Sequence, residues 1–172
     1  MMQQNNRNYK EILNTETNTC FGCSPTNSLG LQMKFFSNEE TVYSWPSIPE
    51  HMGGWKKIAH GGIVSTILDE IMSWAAIHLL KKVTLTNSMT VDFIKAVRVG
   101  EVLRAEDRVI DFNGKRTALV EGFLFNQQDE LCAKSKGDFT VLSTKLAKRI
   151  GIVDDDHIND FFEPLIAQEK HD

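Results

Sequence analysis

Four residues in one short segment have types and spacing that suit chemistry on a carbonyl group. They are His60, Gly61, Gly62 and, nine positions after the histidine, Asp69. Two glycines would leave the N–H groups at the start of a helix unshielded by side chains, and the helix dipole favours negative charge there. Such a helix start can stabilise an oxyanion. The glycines also suit a close contact between helix and sheet, and taken alone they leave both interpretations open.

Two neighbouring carboxylates, Asp69 and Glu70, interrupt a run of aliphatic residues. Carboxylates are rarely buried without a partner, and loss of water raises the pKa of a buried carboxyl. A carboxylate in such surroundings is a candidate general base or nucleophile. The alternative is a solvated notch or a structural ion pair, which the residues by themselves do not exclude.

The spacing of His60 and Asp69 has a geometric consequence. At about 100° per residue the two side chains project to nearly opposite sides of a helix. At about 1.5 Å per residue they also lie roughly 13 Å apart along its axis. One helix therefore cannot present both to one small carbonyl group, whereas two chains related by a two-fold axis can. The spacing predicts a site at a dimer interface.

The element that carries these residues is predicted to be one long helix from Gly61 to about Leu80, because its apolar residues leave almost no polar face. Strand-like segments follow, separated by turn signals, the strongest of which is Asn113-Gly114. They are Leu85–Ile94, Glu101–Phe112, Arg116–Asn126 and Leu131–Leu142. We expect an antiparallel meander of these four strands, and hence an α+β fold with a long central helix wrapped by a curved antiparallel sheet.

The segments around this unit are less regular. Leu31 to Phe35 and Thr41 to Trp45 are predicted strands, and Ser47 to Ala59 is predicted to be a loop. Near the C-terminus, apolar residues at helical spacing follow Asp154–Asp156, and Pro164 is expected to break or restart that helix.

Composition excludes several classes of function. The chain has 172 residues and a formal net charge of −4, so it lacks the basic field that nucleic acid requires. No stretch reaches the length expected of a membrane span, and the polar N-terminus does not resemble a secretory signal. Three cysteines favour a reducing cytoplasm over a disulfide framework. Cys20 and Cys23 form only half of a four-ligand zinc site, so no metal site is expected.

His60-Gly61-Gly62, the apolar helix and Asp69 together resemble the hotdog-fold acyl-CoA thioesterases of the phenylacetate-pathway and mammalian thioesterase-superfamily type. Other matching features are Cys20-Phe21-Gly22-Cys23, Asn27, Gly30-Leu31, Phe93 and Val99-Gly100-Glu101. The resemblance covers residues 20–142 and implies a hotdog domain there. It leaves residues 1–19 as a flexible or helical arm and 143–172 as a helical tail.

The resemblance also implies roles for particular residues. Asp69 would be the catalytic carboxylate, the Gly61 N–H would bind the oxyanion, and His60 would position the carbonyl. Thr86 falls where the family carries a hydroxyl residue that orients the attacking water. The chain departs from several members at Gly54, where they carry an asparagine. The reaction needs no metal or cofactor.

The implied substrate is acyl-CoA, bound by a homodimer or a dimer of dimers. Gly62, Gly54 and Trp55 are candidate substrate-binding residues around the helix start, with loop packing as the alternative for Trp55. Lys95 and Arg98 are candidates to meet the CoA phosphates, with ordinary solvated charges as the alternative. An alternative function is a non-catalytic acyl-CoA-binding module, because a fold does not fix a function. A hotdog dehydratase is disfavoured, since the helix has no Asp-x-x-x-x-His pair.

Overall fold

The computed structural model describes residues 9–38, 40–112 and 116–167. In this part of the chain seven strands form one antiparallel sheet, and two short strands form a separate hairpin. The large sheet contains β1 (Lys10–Ile12), β2 (Phe35–Ser37), β3 (Val42–Ser44), β6 (Val83–Phe93), β7 (Arg104–Asp111), β8 (Thr117–Phe125) and β9 (Leu131–Leu142). The hairpin consists of β4 (Gly53–Trp55) and β5 (Ile58–Ala59).

The central element is helix α1 (Gly61–Leu80), which packs on the sheet. Its buried side chains recur at spacings of three and four residues, as one helix face requires; they include Val64, Ile67, Leu68, Ile71, Met72 and Ala75. Trp74 stacks on Phe35 with ring centroids 4.6 Å apart. Each fully buried aliphatic side chain contributes about 1.5–3 kcal/mol. The predicted α+β fold with a central helix is confirmed, although a face containing Thr66 and Asp69 stays partly exposed.

Two glycines in the sheet allow α1 to approach closely. A Cβ atom at Gly122 in β8 would lie 3.0 Å from Cγ of Met72. A Cβ atom at Gly137 in β9 would lie 3.3 Å from Cε of the same methionine. The helix therefore lies so close to the sheet that a side chain at either glycine would press against Met72.

The order of the strands corrects one expectation. The sheet order is β1-β2-β3-β7-β8-β9-β6, so only β7, β8 and β9 form the predicted meander. β6 pairs with β9 and lies at the edge of the sheet, which makes the four-strand meander wrong. The cause is the connection between β6 and β7, because residues 94–103 are long enough to cross the sheet instead of forming a tight turn. The turn predicted at Asn113-Gly114 lies outside the described residues.

The N-terminal part differs from the predictions in three places. Within the described part of the predicted arm, Lys10–Ile12 is a strand paired with β2. The strand predicted from Leu31 begins only at Phe35. The predicted loop before α1 contains a 3-10 turn (Glu50–Met52) and the β4–β5 hairpin. The pairing of Lys10–Ile12 with Phe35–Ser37 joins distant segments, which local patterns do not reveal, whereas the β4–β5 hairpin is a local pairing.

Up to residue 167, the C-terminal segment contains α2 (Thr144–Arg149), α3 (Asp155–His157), a π-helical turn (Ile158–Phe162) and α4 (Glu163–Ala167). Asp154 caps α3 by accepting a hydrogen bond from the His157 N–H. Pro164 does not interrupt the helical backbone. The wide π-helical turn precedes Pro164 and accommodates this residue, which has no N–H to donate to the helix. Phe161 packs edge-on against Trp74 at 5.3 Å.

Helix α1 also corrects the expectation about membrane spans. Its 20 residues are long and apolar enough to cross a membrane by length and composition. In this fold one face of the helix is buried against the sheet. The core helix of a globular domain passes the same test of length and composition as a membrane span. The apolar character of α1 is therefore accounted for by packing.

Candidate active site

The start of α1 is an exposed group of hydrogen-bond donors. His60 is the N-cap, and its Nδ1 accepts a hydrogen bond of 3.0 Å from the Gly62 N–H. This contact leaves the proton of the neutral imidazole on Nε2. The Gly61 N–H donates to no group among the described residues. Because the first N–H groups of a helix lack intrahelical acceptors, Gly61 can offer its donor to a ligand.

The second group of site residues lies in the middle of α1. Thr86 in β6 donates a hydrogen bond of 2.8 Å from Oγ1 to Oδ1 of Asp69. Asp69 is half-buried and Thr86 is exposed, so both remain open to a ligand. The hydroxyl oxygen of Thr86 retains lone pairs that can accept a hydrogen bond from water. Asp69 and Thr86, predicted from distant positions in the sequence, are thus in contact.

A β-bulge fixes the direction of the Thr86 side chain. Thr86 lies opposite Phe139 of β9, and Ser88 lies opposite Asp138, so Asn87 is an extra residue in β6. Phe139 is buried beneath α1, which puts Thr86 on the helix side of the sheet. Bulges commonly redirect side chains beside functional sites. Sequence alternation alone would place Ser88 on the same face as Thr86, and it does not.

Several expected substrate-binding residues gather near the start of α1. Gly54 lies against His60, because a Cβ atom there would be 3.4 Å from Cα of the histidine. Arg98 pairs with Ile58 in an isolated bridge two residues before His60, and its side chain is exposed. Trp55 is 86% exposed on the β4–β5 hairpin. These residues form a possible binding surface around the helix start.

Lys95 is placed differently. Its ammonium group forms a salt bridge of 2.5 Å with Glu130. Both side chains are about half exposed, so the pair is weak in water, and a phosphate can compete for the ammonium group. Hydrogen bonds from Lys95 and Asn126 hold the pKa of the Glu130 carboxyl below its usual range.

Phe93, near the end of β6, is a site neighbour whose contact the sequence does not reveal. A Cβ atom at Gly61 would lie 3.6 Å from its ring, which is 58% exposed. The aromatic ring therefore borders the free N–H at the helix start.

Glu70 points to another part of the molecule. Its Oε1 accepts a hydrogen bond of 3.0 Å from Sγ of Cys20. Burial, reinforced by the neighbouring Cys20, raises the pKa of Glu70 to about 8. A hydrogen bond from Cys23 lowers the pKa of Cys20 to about 5, whereas that shared bond and burial raise the pKa of Cys23. The two adjacent carboxylates of α1 therefore have different partners. Asp69 contacts Thr86, and Glu70 contacts Cys20.

The structure therefore brings the expected site residues together as two groups. His60, Gly61 and Gly54 lie at the start of α1, and Asp69 contacts Thr86 at its middle. The nine-residue separation along one helix keeps the groups apart within a chain. Hydrolysis at Asp69 assisted by the Gly61 N–H thus needs a second copy.

The segment that carries most of these residues is similar to known proteins. Residues 56–133, which include His60, Gly61, Asp69 and Thr86 but not Gly54, match the sequence model of the thioesterase superfamily. Among curated protein sequences, none matches this chain.

Among solved structures, a thioesterase superfamily protein superposes with a TM-score of 0.64 at 17% identity. That match covers 70% of this chain, which spans only 59% of the length of that protein. A Streptococcus mutans UA159 protein solved with bound acetyl CoA matches with a TM-score of 0.59 at 20% identity, over 64% of this chain and 89% of its own.

The Escherichia coli PaaI protein, from the phenylacetic acid degradation operon, has a TM-score of 0.59 at 19% identity. The match covers 66% of this chain and 81% of PaaI. At these identities the structural likenesses show the fold alone, which is the hotdog fold. Residues 56–133 are in addition similar to the thioesterase superfamily model.

Proposed function

We propose that this protein hydrolyses acyl-CoA thioesters to a free acid and CoA. The observation that carries the proposal is the hydrogen bond from Thr86 to Asp69, on the partly exposed face of a helix with a free N–H at its start. A carboxylate, a hydroxyl that can hold water and an oxyanion donor are the groups that thioester hydrolysis needs. The acetyl CoA bound in the Streptococcus mutans relative supports CoA as the leaving group.

In the proposed reaction Thr86 holds one oxygen of Asp69 and leaves the other free. The free oxygen takes a proton from water, and the oxygen of that water attacks the thioester carbonyl. The oxyanion that forms accepts the Gly61 N–H of the partner subunit, and collapse of the tetrahedral intermediate expels the CoA thiolate. Direct attack by Asp69, followed by hydrolysis of the resulting anhydride, uses the same groups.

Self-association through β6 is part of the proposal. Within the described residues, no strand pairs with the outer edge of this 11-residue strand. Phe93 and Leu85 on β6 and the adjacent Ile94 are exposed at 58%, 38% and 49%. A long edge strand with exposed apolar side chains is a template for pairing with another chain. Antiparallel pairing of two β6 strands would set the two α1 helices side by side, as the shared site requires.

The proposal is tested with a panel of acyl-CoA esters of different chain length and aromatic content, with release of free thiol as the readout. We expect turnover by the wild-type protein and a loss of roughly 10²–10⁴-fold in kcat for Asp69→Asn. Asp138→Asn is the matched control, because Asp138 also accepts a hydrogen bond from a β6 hydroxyl, that of Ser88. It should retain kcat.

Two results would contradict the proposal. Turnover of Asp69→Asn at the wild-type rate would remove the carboxylate from the reaction. Tight binding of acyl-CoA with no thiol release from any ester would instead favour the non-catalytic binding module. Gly54 lies beside His60, at a position where several members of the family carry an asparagine. This difference is the reason for considering the non-catalytic binding function.

A further inference from the structure

The Cys20–Cys23 loop brings two thiols onto the carboxyl group of Glu70. The two Sγ atoms and a Glu70 carboxylate oxygen all lie within 4.8 Å of one another. Cys23 is buried, while Cys20 and Glu70 are half-buried. The loop can approach this closely because residue 22 is a glycine, since a Cβ atom there would lie 2.4 Å from Cγ of Glu70. Three acidic ligand atoms thus converge from two distant parts of the sequence.

Hydrogen-bond donors surround both sulfur atoms. Sγ of Cys20 accepts the backbone N–H groups of Gly22, at 3.3 Å, and of Cys23. Sγ of Cys23 accepts Nδ2 of Asn18, at 3.5 Å, and the indole N–H of Trp74. Donors aimed at sulfur favour thiolates over thiols. The loop therefore surrounds both sulfur atoms with the kind of hydrogen-bond donors that orient metal ligands.

The cluster has acidic neighbours and lacks a counter-charge. Glu70 accepts a hydrogen bond from Cys20 and is adjacent to Asp69 on α1, so both of these neighbours are acids. Within the residues that the structure describes, no salt bridge reaches Glu70. Buried anionic groups are stable when they are paired with a cation or coordinate a metal. A cation bound between the two sulfur atoms and the Glu70 carboxylate oxygen would supply the positive charge that these groups lack.

We propose that Cys20, Cys23 and Glu70 bind one thiophilic divalent metal ion of the Zn²⁺ type. Zinc prefers thiolate and carboxylate ligands, and at a Zn–S distance of about 2.3 Å two sulfurs in a tetrahedral site stand roughly 3.8 Å apart. The observed cluster is compatible with this spacing. A site with three protein ligands keeps a fourth position open.

The fourth position faces a cavity. The three ligand residues form part of the wall of a cavity of ≈ 370 Å³, which Trp74, Ile77 and residues of the C-terminal helices also line. A water molecule or a small donor fits this space. The site lies on the side of α1 that bears Glu70, whereas Asp69 projects about 100° away. Metal binding is thus separable from the proposed hydrolysis.

Cobalt(II) tests the site with a readout independent of activity. Reduced wild-type protein, first treated with a chelator, should bind one Co²⁺ per chain, with thiolate-to-cobalt charge-transfer absorption and the visible bands of tetrahedral coordination. Zn²⁺ should displace it one for one and raise Tm. Cys20→Ser and Cys23→Ser should each remove at least half of the charge-transfer intensity. Glu70→Gln should weaken the binding at least tenfold, and Cys132→Ala, the matched control, should change neither property.

The wild-type result decides the proposal even if a cysteine variant fails to fold. Folded, fully reduced protein with no charge-transfer band would overturn it. Binding that persists in a folded Cys20→Ser/Cys23→Ser double variant would overturn it as well, by assigning the ion to another site. A Cys20–Cys23 disulfide that resists mild reductant in the folded protein would show that the thiols pair with each other instead of with a metal.

Discussion

At the scale of single residues, the hydroxyl group of Thr86 has a geometry that limits what it can do. It donates to Asp69 and keeps lone pairs for one further partner. A group in this position orients water and holds a carboxylate oxygen, while the bonds that form and break belong to others. Its removal should therefore affect kcat more than substrate binding.

Replacement of Thr86 by serine and by valine tests this role. Serine keeps the hydroxyl and should retain most of kcat. Valine keeps the shape and removes the hydrogen bond, and we expect a loss of roughly 10–100-fold in kcat with little change in KM. Steady-state kinetics with one good acyl-CoA ester provide the measurement. Equal kcat values for all three proteins would show that the hydroxyl takes no part.

Asp107 in β7 is a buried carboxyl that the proposed reaction does not use. Its Oδ1 accepts a hydrogen bond of 2.5 Å from the Val42 N–H, and its Oδ2 has no partner among the described residues. Burial raises its pKa to about 7, and the adjacent Glu106 adds to the effect. The folded state therefore binds a proton that the unfolded state releases at a lower pH.

This shift predicts how stability depends on pH. Between about pH 4 and pH 7 the folded protein binds more protons than the unfolded chain, so the free energy of unfolding should fall as the pH rises. The limit set by Asp107 alone is about 4 kcal/mol. Asp107→Asn keeps the acceptor for Val42 and should flatten the dependence. Urea unfolding at several pH values measures it, and an equal slope in both proteins would contradict the assignment.

At the scale of elements, the loop before β2 depends on one glycine. A Cβ atom at Gly30 would lie 2.1 Å from the carbonyl oxygen of Phe21, a backbone atom that cannot move alone. The Leu31 N–H donates to that same oxygen at 3.0 Å. Gly30 therefore secures the close pairing that holds the Cys20–Cys23 loop in place.

Gly30→Ala should consequently lower the free energy of unfolding by about 1–3 kcal/mol. Gly54→Ala is the matched control for stability, because the nearest atom to a Cβ there is 3.4 Å away, an ordinary contact. It should be close to neutral. Denaturant midpoints at constant slope provide the comparison. A Gly30→Ala protein as stable as the wild type would show that the loop can move aside.

The elements also show what local patterns can predict. The bounds of α1 and β9 agree with the sequence analysis, because apolar periodicity and flanking turns mark them. The position of β6 beside β9 was not predictable, since a strand's own pattern does not specify its neighbour. The Cys20–Glu70 contact joins residues 50 positions apart, and only the folded chain brings them together. The contact of Asp69 with Thr86 was anticipated through family resemblance, because spacing alone does not imply it.

At the scale of the whole molecule, the proposed reaction requires a dimer, because the two site groups are separated along one helix. Chains carrying Asp69→Ala and chains carrying Gly61→Pro should each be inactive. Proline suits the first position of a helix and lacks an N–H, so Gly61→Pro removes the donor with little cost to the helix. In a mixed dimer one site combines the intact Asp69 of one chain with the intact Gly61 of the other, and the second site carries both defects.

Random exchange gives mixed dimers in about half of the population, so activity should approach about a quarter of the wild-type level. Thiol release after unfolding and refolding the two variants together gives the measurement. Mass spectrometry of intact dimers verifies the exchange. Proven exchange without recovery of activity would mean that each site lies within one chain, and would refute the shared-site proposal.

The extra residue at Asn87 has a consequence for how the chain can vary in evolution. The bulge changes which side chains of β6 face α1. Before Asn87 the even-numbered side chains face α1, and after Asn87 the odd-numbered ones do. The polar side chains that this change keeps away from the core are Ser88, Thr90 and Asp92. Deleting Asn87 would either turn these three inward or rotate Thr86 away from Asp69. A single-residue deletion there should be far less tolerated than one in the connection 94–103.

The interval between Thr86 and Phe93, whose side chains both face α1, is therefore not a fixed signature of the site. The two residues are 7 positions apart, and this count includes the bulged residue Asn87. A relative with a regular strand would need a spacing shorter by one to direct both side chains toward the helix. Sequence comparisons that demand a constant interval would miss such relatives, whereas comparisons that allow one residue of slack at this point should recover them.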